Sequence, residues 1–131
     1  MMPITRKHLY PVIWFALISY ASLTPPKGIP KFPAIPHFDK VVHFGIYYVL
    51  VIVLIPLFLK HKNYNRTYLI SGIAAVITGI FFELMQLLIT SVRSASFADA
   101  LANFFGCLLG IVSYQLLIRD KKLEKIIFRI E

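Results

Sequence analysis

Apolar residues in this chain fall into blocks rather than at a globular spacing, and the block lengths decide what it can fold into. Val41 to Leu59, Thr67 to Thr90 and Phe97 to Ile118 each approach or exceed the roughly 20 mainly apolar residues that a bilayer-crossing helix needs. An earlier block, Leu9 to Thr24, is shorter and carries Pro11. The expectation is an all-α polytopic membrane protein with a single domain over 1–131. Its four-transmembrane-helix bundle would use about 9–24, 41–59, 67–90 and 97–118, with a short cytoplasmic amphipathic helix in 119–131. The first block has a competing reading: Arg6 and Lys7 ahead of it, with Ser19-Tyr20-Ala21 behind, also fit a signal peptide and its small-residue cleavage site.

Fourteen Lys and Arg against six Asp and Glu give a net charge of +8. Its placement argues against nucleic acid as the partner. Arg6 and Lys7 precede the first block, and Lys60, Lys62 and Arg66 lie between the second and third. Arg119, Lys121, Lys122, Lys125 and Arg129 follow the fourth. With these segments inside, the positive-inside rule is met. The expected location is the cell membrane, multi-pass, with both termini cytoplasmic and membrane lipids as the surroundings. Pro25 to Lys40 and Ser91 to Ser96 are then outside. Pro25, Pro26, Pro30, Pro33 and Pro36 exclude regular helix from the first of these, which reads as a spacer or a strap. In the tail, Leu123, Ile126, Ile127 and Ile130 share one face, a pattern suited to lying on an anionic membrane surface.

Small residues recur at close-packing spacing. Gly106 and Gly110 form a G-x-x-x-G, and Ser71, Ala75 and Gly79 repeat every four residues. Such faces let backbones approach closely, either within one chain or in a homo-oligomer through the Gly106/Gly110 face. Cys107, the single cysteine, reads as a small packing residue.

The polar residues inside the blocks share one depth. Counted from the outer end at about 1.5 Å per residue, His43 and Tyr47 lie on the order of 6 and 12 Å down the second helix. Gln86 and Glu83 lie about 6 and 10 Å below the outer end of the third, and Asp99 and Asn103 about 3 and 9 Å down the fourth. Arg93 sits in the connection above them, while Val49 to Leu59 and Leu69 to Ile77 are nearly free of polar groups. A charge in hydrocarbon costs several kcal/mol, so Glu83 must face inward and be paired, hydrated or protonated, with Arg93, Lys40 and His43 as candidate partners.

At these residues the chain resembles the VanZ-like family, named after a teicoplanin-resistance protein. The family's Asp-Lys-x-x-His-Phe opening followed by Tyr is matched by Asp39, Lys40, His43, Phe44 and Tyr47. Its Glu-x-x-Gln, Arg-Ser turn and Asp-x-x-x-Asn-x-x-Gly helix are matched by Glu83, Gln86, Arg93, Ser94, Asp99, Asn103 and Gly106, and its small-residue pair by Gly106 and Gly110. The likeness runs from about Asp39 to Gly110. The connection Ile89 to Val92 lacks the Pro or Gly that often precedes the family's Arg. The resemblance implies an integral membrane protein of the cell envelope, with some members linked to lowered lipoglycopeptide (teicoplanin) susceptibility.

The inventory narrows the chemistry. A metal site could draw on His43, Glu83, Asp99 and Asn103, but without H-E-x-x-H or a cysteine cluster no metal or other cofactor is expected. G-x-S-x-G and a Gly-rich phosphate loop are both missing, and a proton pathway would need polar residues across the full span. What remains is an outward-facing pocket with Arg93 and Lys40 at its mouth, suited to an anionic headgroup or carboxylate. Glu83 and His43 are the catalytic candidates, as general base and acid. Asp39, Lys40, Tyr47, Gln86, Arg93, Asp99 and Asn103 are the substrate-binding candidates. The substrate would be an envelope component: a lipid-linked precursor, a headgroup or a surface polymer. Whether the site catalyses or only binds stays open. Blander roles exist for several of these residues. Asp39 reads as a helix N-cap, Ser96 with Asp99 as a capping box, Tyr47 as an interfacial aromatic, and His43 as a packing histidine. In the alternative overall reading, the same residues only fix helix packing in a membrane scaffold or interaction subunit.

Overall fold

The computed structural model describes residues 4–24, 37–89 and 96–128. Expectations resting on Arg93, Ser94, the proline-rich 25–36 segment, Arg129 or Ile130 lie outside the described residues. Every regular element within them is helical: α1 (Arg6–Leu23), α2 (Phe38–Phe58), α3 (Tyr64–Ile89), α4 (Phe97–Ser113) continued by a π-helical turn (Tyr114–Ile118), and α5 (Lys122–Phe128). Helices satisfy their own backbone groups, which a hydrocarbon solvent requires. α1, α2 and α3 each begin about three residues before the apolar block they contain, because a polar first turn can still be helical where water meets its free amides.

Three helices are long and apolar enough to cross a membrane: α2, α3 and α4 with its π turn. α1, 18 residues opening on Arg6-Lys7-His8, is not among them. Of the four expected spans, the first therefore stands as a helix packed on the bundle. Ile18 is buried in the core beside Tyr47, Leu50 and Phe82. Trp14 Nε1 donates to the Ile46 carbonyl of α2 at 2.9 Å, and Gln86 Nε2 of α3 donates to the Ser22 carbonyl at 3.1 Å. These two bonds fasten α1 to both α2 and α3. Replacing Trp14 by Phe keeps the ring but removes the first of these bonds. The expected loss is about 1 kcal/mol, read as a lower melting temperature in detergent.

α2 is central, touching α1, α3 and, most extensively, α4. Gly106 and Gly110 explain that closeness. A Cβ at Gly106 would collide with the Phe44 carbonyl oxygen, and one at Gly110 with Val51 Cγ1, while lying 2.8 Å from the Tyr48 carbonyl oxygen. The glycine face is therefore filled by α2 of the same chain, the first of the two readings left open for it. On α3, Ser71, Ala75 and Gly79 form the buried face. The opposite stripe, Leu69, Ile73, Ile77, Ile80 and Leu84, is exposed, as a lipid-facing surface is.

One end of the bundle is closed by α5. Glu124, only 4% exposed, accepts from Tyr114 Oη at 2.5 Å, from Tyr64 Oη at 3.1 Å and from the Asp120 amide at 3.0 Å. Phe128 is buried against Tyr10 and Tyr114. The tail periodicity pointed to a face of Leu123, Ile126 and Ile127 on lipid. In the structure Leu123 and Ile126 are exposed, but Glu124 and Phe128 face the bundle and Ile127 packs with them.

Candidate functional site

The site lies at the other end, where α2 and α4 begin and α3 finishes. The N-cap of α2 is His37, in the left-handed region at φ 61°, so Asp39 occupies the first turn rather than the cap expected for it. A carboxylate there faces the positive end of the helix dipole. Ser96 does cap α4, its Oγ accepting from the Ala98 amide at 3.2 Å, and this places Asp99 in the first turn. Both caps fix the phase of their helices. One or two turns further in, His43 and Asn103 come round to the same interior seam.

Six side chains from three helices meet there or at its rim. His43 Nδ1 lies 3.1 Å from Asn103 Oδ1 and 3.9 Å from Glu83 Oε1. With the amide oxygen as acceptor, Nδ1 carries the proton and the Nε2 lone pair is left free. Lys40 Nζ bridges α2 and α4, 2.6 Å from Asp39 Oδ2 and 2.5 Å from Asp99 Oδ1. Glu83 is mostly buried, its side chain 13% exposed, and Oε2 has no hydrogen-bond partner among the described residues. A cavity of about 340 Å³ between α3 and α4 is lined by Glu83, Asn103, Gly79 and Ser96, with apolar side chains around them.

The remaining expected site residues sit differently. Tyr47 is 3% exposed, one turn below His43, and forms floor rather than interface. Its ring lies against Gly79, where an added Cβ would come within 3.3 Å of Cε1. At about 12 Å of depth an interfacial tyrosine was already a poor fit. Gln86 is turned to α1 through its bond to Ser22. Lys40, expected free at the mouth to meet an anion, is held by two carboxylates. Apart from Glu83 and Asn103, the residues lining the cavity were not among the candidates; of these, Gly79 sits one turn below Glu83, a spacing that could have flagged it, and Ser96 was read chiefly as a cap.

Chemically this end is rich in acceptors. Asp39, Glu83 and Asp99 face one lysine among the described residues. His43, Glu83 and Asp99 each offer a ligand atom, all within 4.8 Å of one another, so a cation could be held between three helices. Lys40 already gives Asp99 a positive partner, so a metal ion would have to displace the ammonium. The constellation fits a bound group that donates hydrogen bonds or carries positive charge.

In sequence, the model of the VanZ/LLP1 family matches residues 4–118, from the start of α1 through the π turn. Neither a curated protein nor a solved structure matches the chain.

Proposed function

Since the chain belongs to the VanZ/LLP1 family, we propose that the polar cluster is a working site for the polar end of a cell-envelope substrate, and that its activity lowers lipoglycopeptide (teicoplanin) susceptibility. The observation carrying this reading is Glu83, a buried carboxylate with an oxygen lacking a donor, beside His43 and a cavity. Intramembrane ionisable groups are expensive, and a packing network would have no reason to leave one half-satisfied. Glu83 is the acceptor for a substrate O–H or N–H, as hydrogen-bond partner or general base, and His43, in its imidazolium form, is the adjoining acid. Asp99, Lys40 and Asn103 hold the helices and the histidine in place.

Orientation follows from charge. Arg6 bonds the Ile126 carbonyl and Arg119 lies over the Tyr64 ring, so basic residues gather at the end opposite the cluster. The positive-inside rule then puts the cluster on the outer side. In a Cys107→Ala background, Ser94→Cys should react with an impermeant thiol reagent applied to intact cells; silence there reverses the orientation.

The test of the site is Glu83→Gln, with His43→Ala beside it. Each should return envelope-antibiotic susceptibility to that of cells lacking the protein. Its melting temperature in detergent should move by less than about 4 °C, the shift that about 1 kcal/mol gives in a domain of this size. Activity that merely follows stability across the two variants would establish the scaffold reading instead.

A further inference from the structure

The cavity beside Glu83 is the upper part of a longer feature. A second cavity of about 460 Å³ continues down the α3–α4 seam, with Gly72 on one side and Cys107 and Ile111 on the other. Val76 and Phe104 border both cavities, so the two are adjacent. The lower walls are apolar apart from Tyr68 at the far end. Gly72 keeps the helices close at the floor, since an added Cβ would lie 3.3 Å from Ile111 Cδ1. The seam opens between Ile73, Ile77 and Ile80 on α3 and Leu108 and Phe104 on α4, all of them exposed. Those are side chains that face hydrocarbon. From Gly72 to Glu83 the groove runs about 16 Å, the reach of a lipid chain lying along the bilayer normal.

Charge sets what belongs at the upper end. Lys40 is committed to Asp39 and Asp99, and His43 Nδ1 is paired with Asn103 Oδ1. That leaves Glu83 Oε2 as a buried acceptor with no donor among the described residues, its nearest basic group being the His43 ring, 3.9 Å from Oε1. A primary ammonium supplies donor and positive charge at once, through a charge-assisted hydrogen bond. A hydroxyl supplies only the donor, and a trimethylammonium only the charge.

We propose that the α3–α4 seam binds an aminolipid that enters sideways from the bilayer, its chain along Gly72, Val76 and Cys107 and its primary ammonium on Glu83. This deepens the reading of Glu83 as a working acceptor, on which it rests, by naming the ligand class and its route.

The test uses phosphatidylethanolamine, phosphatidylcholine and phosphatidylglycerol with identical acyl chains, added to the delipidated protein and counted as bound lipid by native mass spectrometry. The ethanolamine lipid should be retained about tenfold better than the choline lipid, the ratio that one charge-assisted hydrogen bond gives. Glu83→Gln should shrink that ratio to about twofold or less, while Val76→Trp, which fills the junction of the cavities, should lower retention of all three. Leu108→Trp serves the same purpose if Val76→Trp does not fold. Equal retention of the three lipids reduces the seam to ordinary lipid contact, and glycerol lipid held as well as ethanolamine lipid overturns the ammonium assignment. If the seam variants leave lipid binding untouched while Glu83→Gln still abolishes the antibiotic phenotype, the lateral route falls and the working site stands. If Glu83→Gln keeps the phenotype but loses the ethanolamine preference, the lipid site stands and the proposed function falls.

Discussion

Gly106→Leu is expected to leave no folded bundle, and Gly106→Ala to be the most damaging single methyl group that can be added at any of the described glycines. The reason is what the new carbon meets. At Gly106 it collides with the Phe44 carbonyl oxygen and comes within 3.1 Å of the Tyr48 amide nitrogen, both backbone atoms of α2 that cannot rotate aside. The helices would have to separate along their most extensive interface. Overpacking a tight core costs about 1–3 kcal/mol where side chains can adjust; here they cannot, so the cost should reach or pass the upper figure. Gly110→Ala differs in kind, because its first obstacle is the Val51 side chain. Val51→Ala should restore part of its loss and none of the loss at Gly106. Gly79→Ala meets only side-chain atoms, at 3.3 Å and beyond, and should cost about 1 kcal/mol. Gly45 has nothing within 4 Å, so Gly45→Ala should be neutral or stabilising by up to about 1 kcal/mol through helix propensity. Melting temperatures across this series, in one detergent, check the order. A Gly106→Ala protein as stable as Gly45→Ala would mean that the α2–α4 interface is not as close as described.

That series also marks where sequence reading stops. The spacing of Gly106 and Gly110 announces a close helix approach but says nothing of which helix approaches, and α2 of the same chain turned out to be the partner. Depth was legible because 1.5 Å per residue converts numbering into height, and His43, Glu83, Asp99 and Asn103 do share a level. Azimuth was not. Gln86, three residues from Glu83, is about 60° round the helix, enough to turn it from the cluster to α1. α1 itself was the hardest element, because its place depends on the Trp14 bond and on Ile18 burial, and neither leaves a periodic signal. Charge pairing was equally hidden: composition shows Lys40 as a cation, and only geometry shows it spent on two carboxylates.

The same blindness applies to Glu124, and it leads to the second large effect. Among the basic residues of the tail a glutamate reads as solvated, and hydrophobic periodicity ignores it. Glu124→Ala removes the acceptor of three donors at once: Tyr114 Oη, Tyr64 Oη and the Asp120 amide. Tyr64 keeps a second acceptor in Asp120 Oδ1 at 3.2 Å, but among the described residues the buried Tyr114 hydroxyl has no other side-chain acceptor. Hydrogen bonds to a charged group are worth about 1.5–3 kcal/mol each and are not additive, so a loss of at least about 3 kcal/mol is expected. Tyr114→Phe removes one donor and its stranding together, and should cost about half as much. The π turn carries Tyr114 at its start, closed by the Arg119 amide on the Tyr114 carbonyl at 2.8 Å, so both changes should also loosen α5 and expose Phe128. Limited proteolysis of the tail would show it. Glu124 bonds Tyr64 at the first residue of α3, and Glu83 lies about 28 Å further along that helix. Changes this far apart add, so a Glu124→Ala, Glu83→Gln double variant should melt at the temperature that the two single shifts predict. The ends of this bundle then answer to different demands. At the basic end Glu124 is met by three donors, whereas at the acidic end Glu83 Oε2 has none among the described residues.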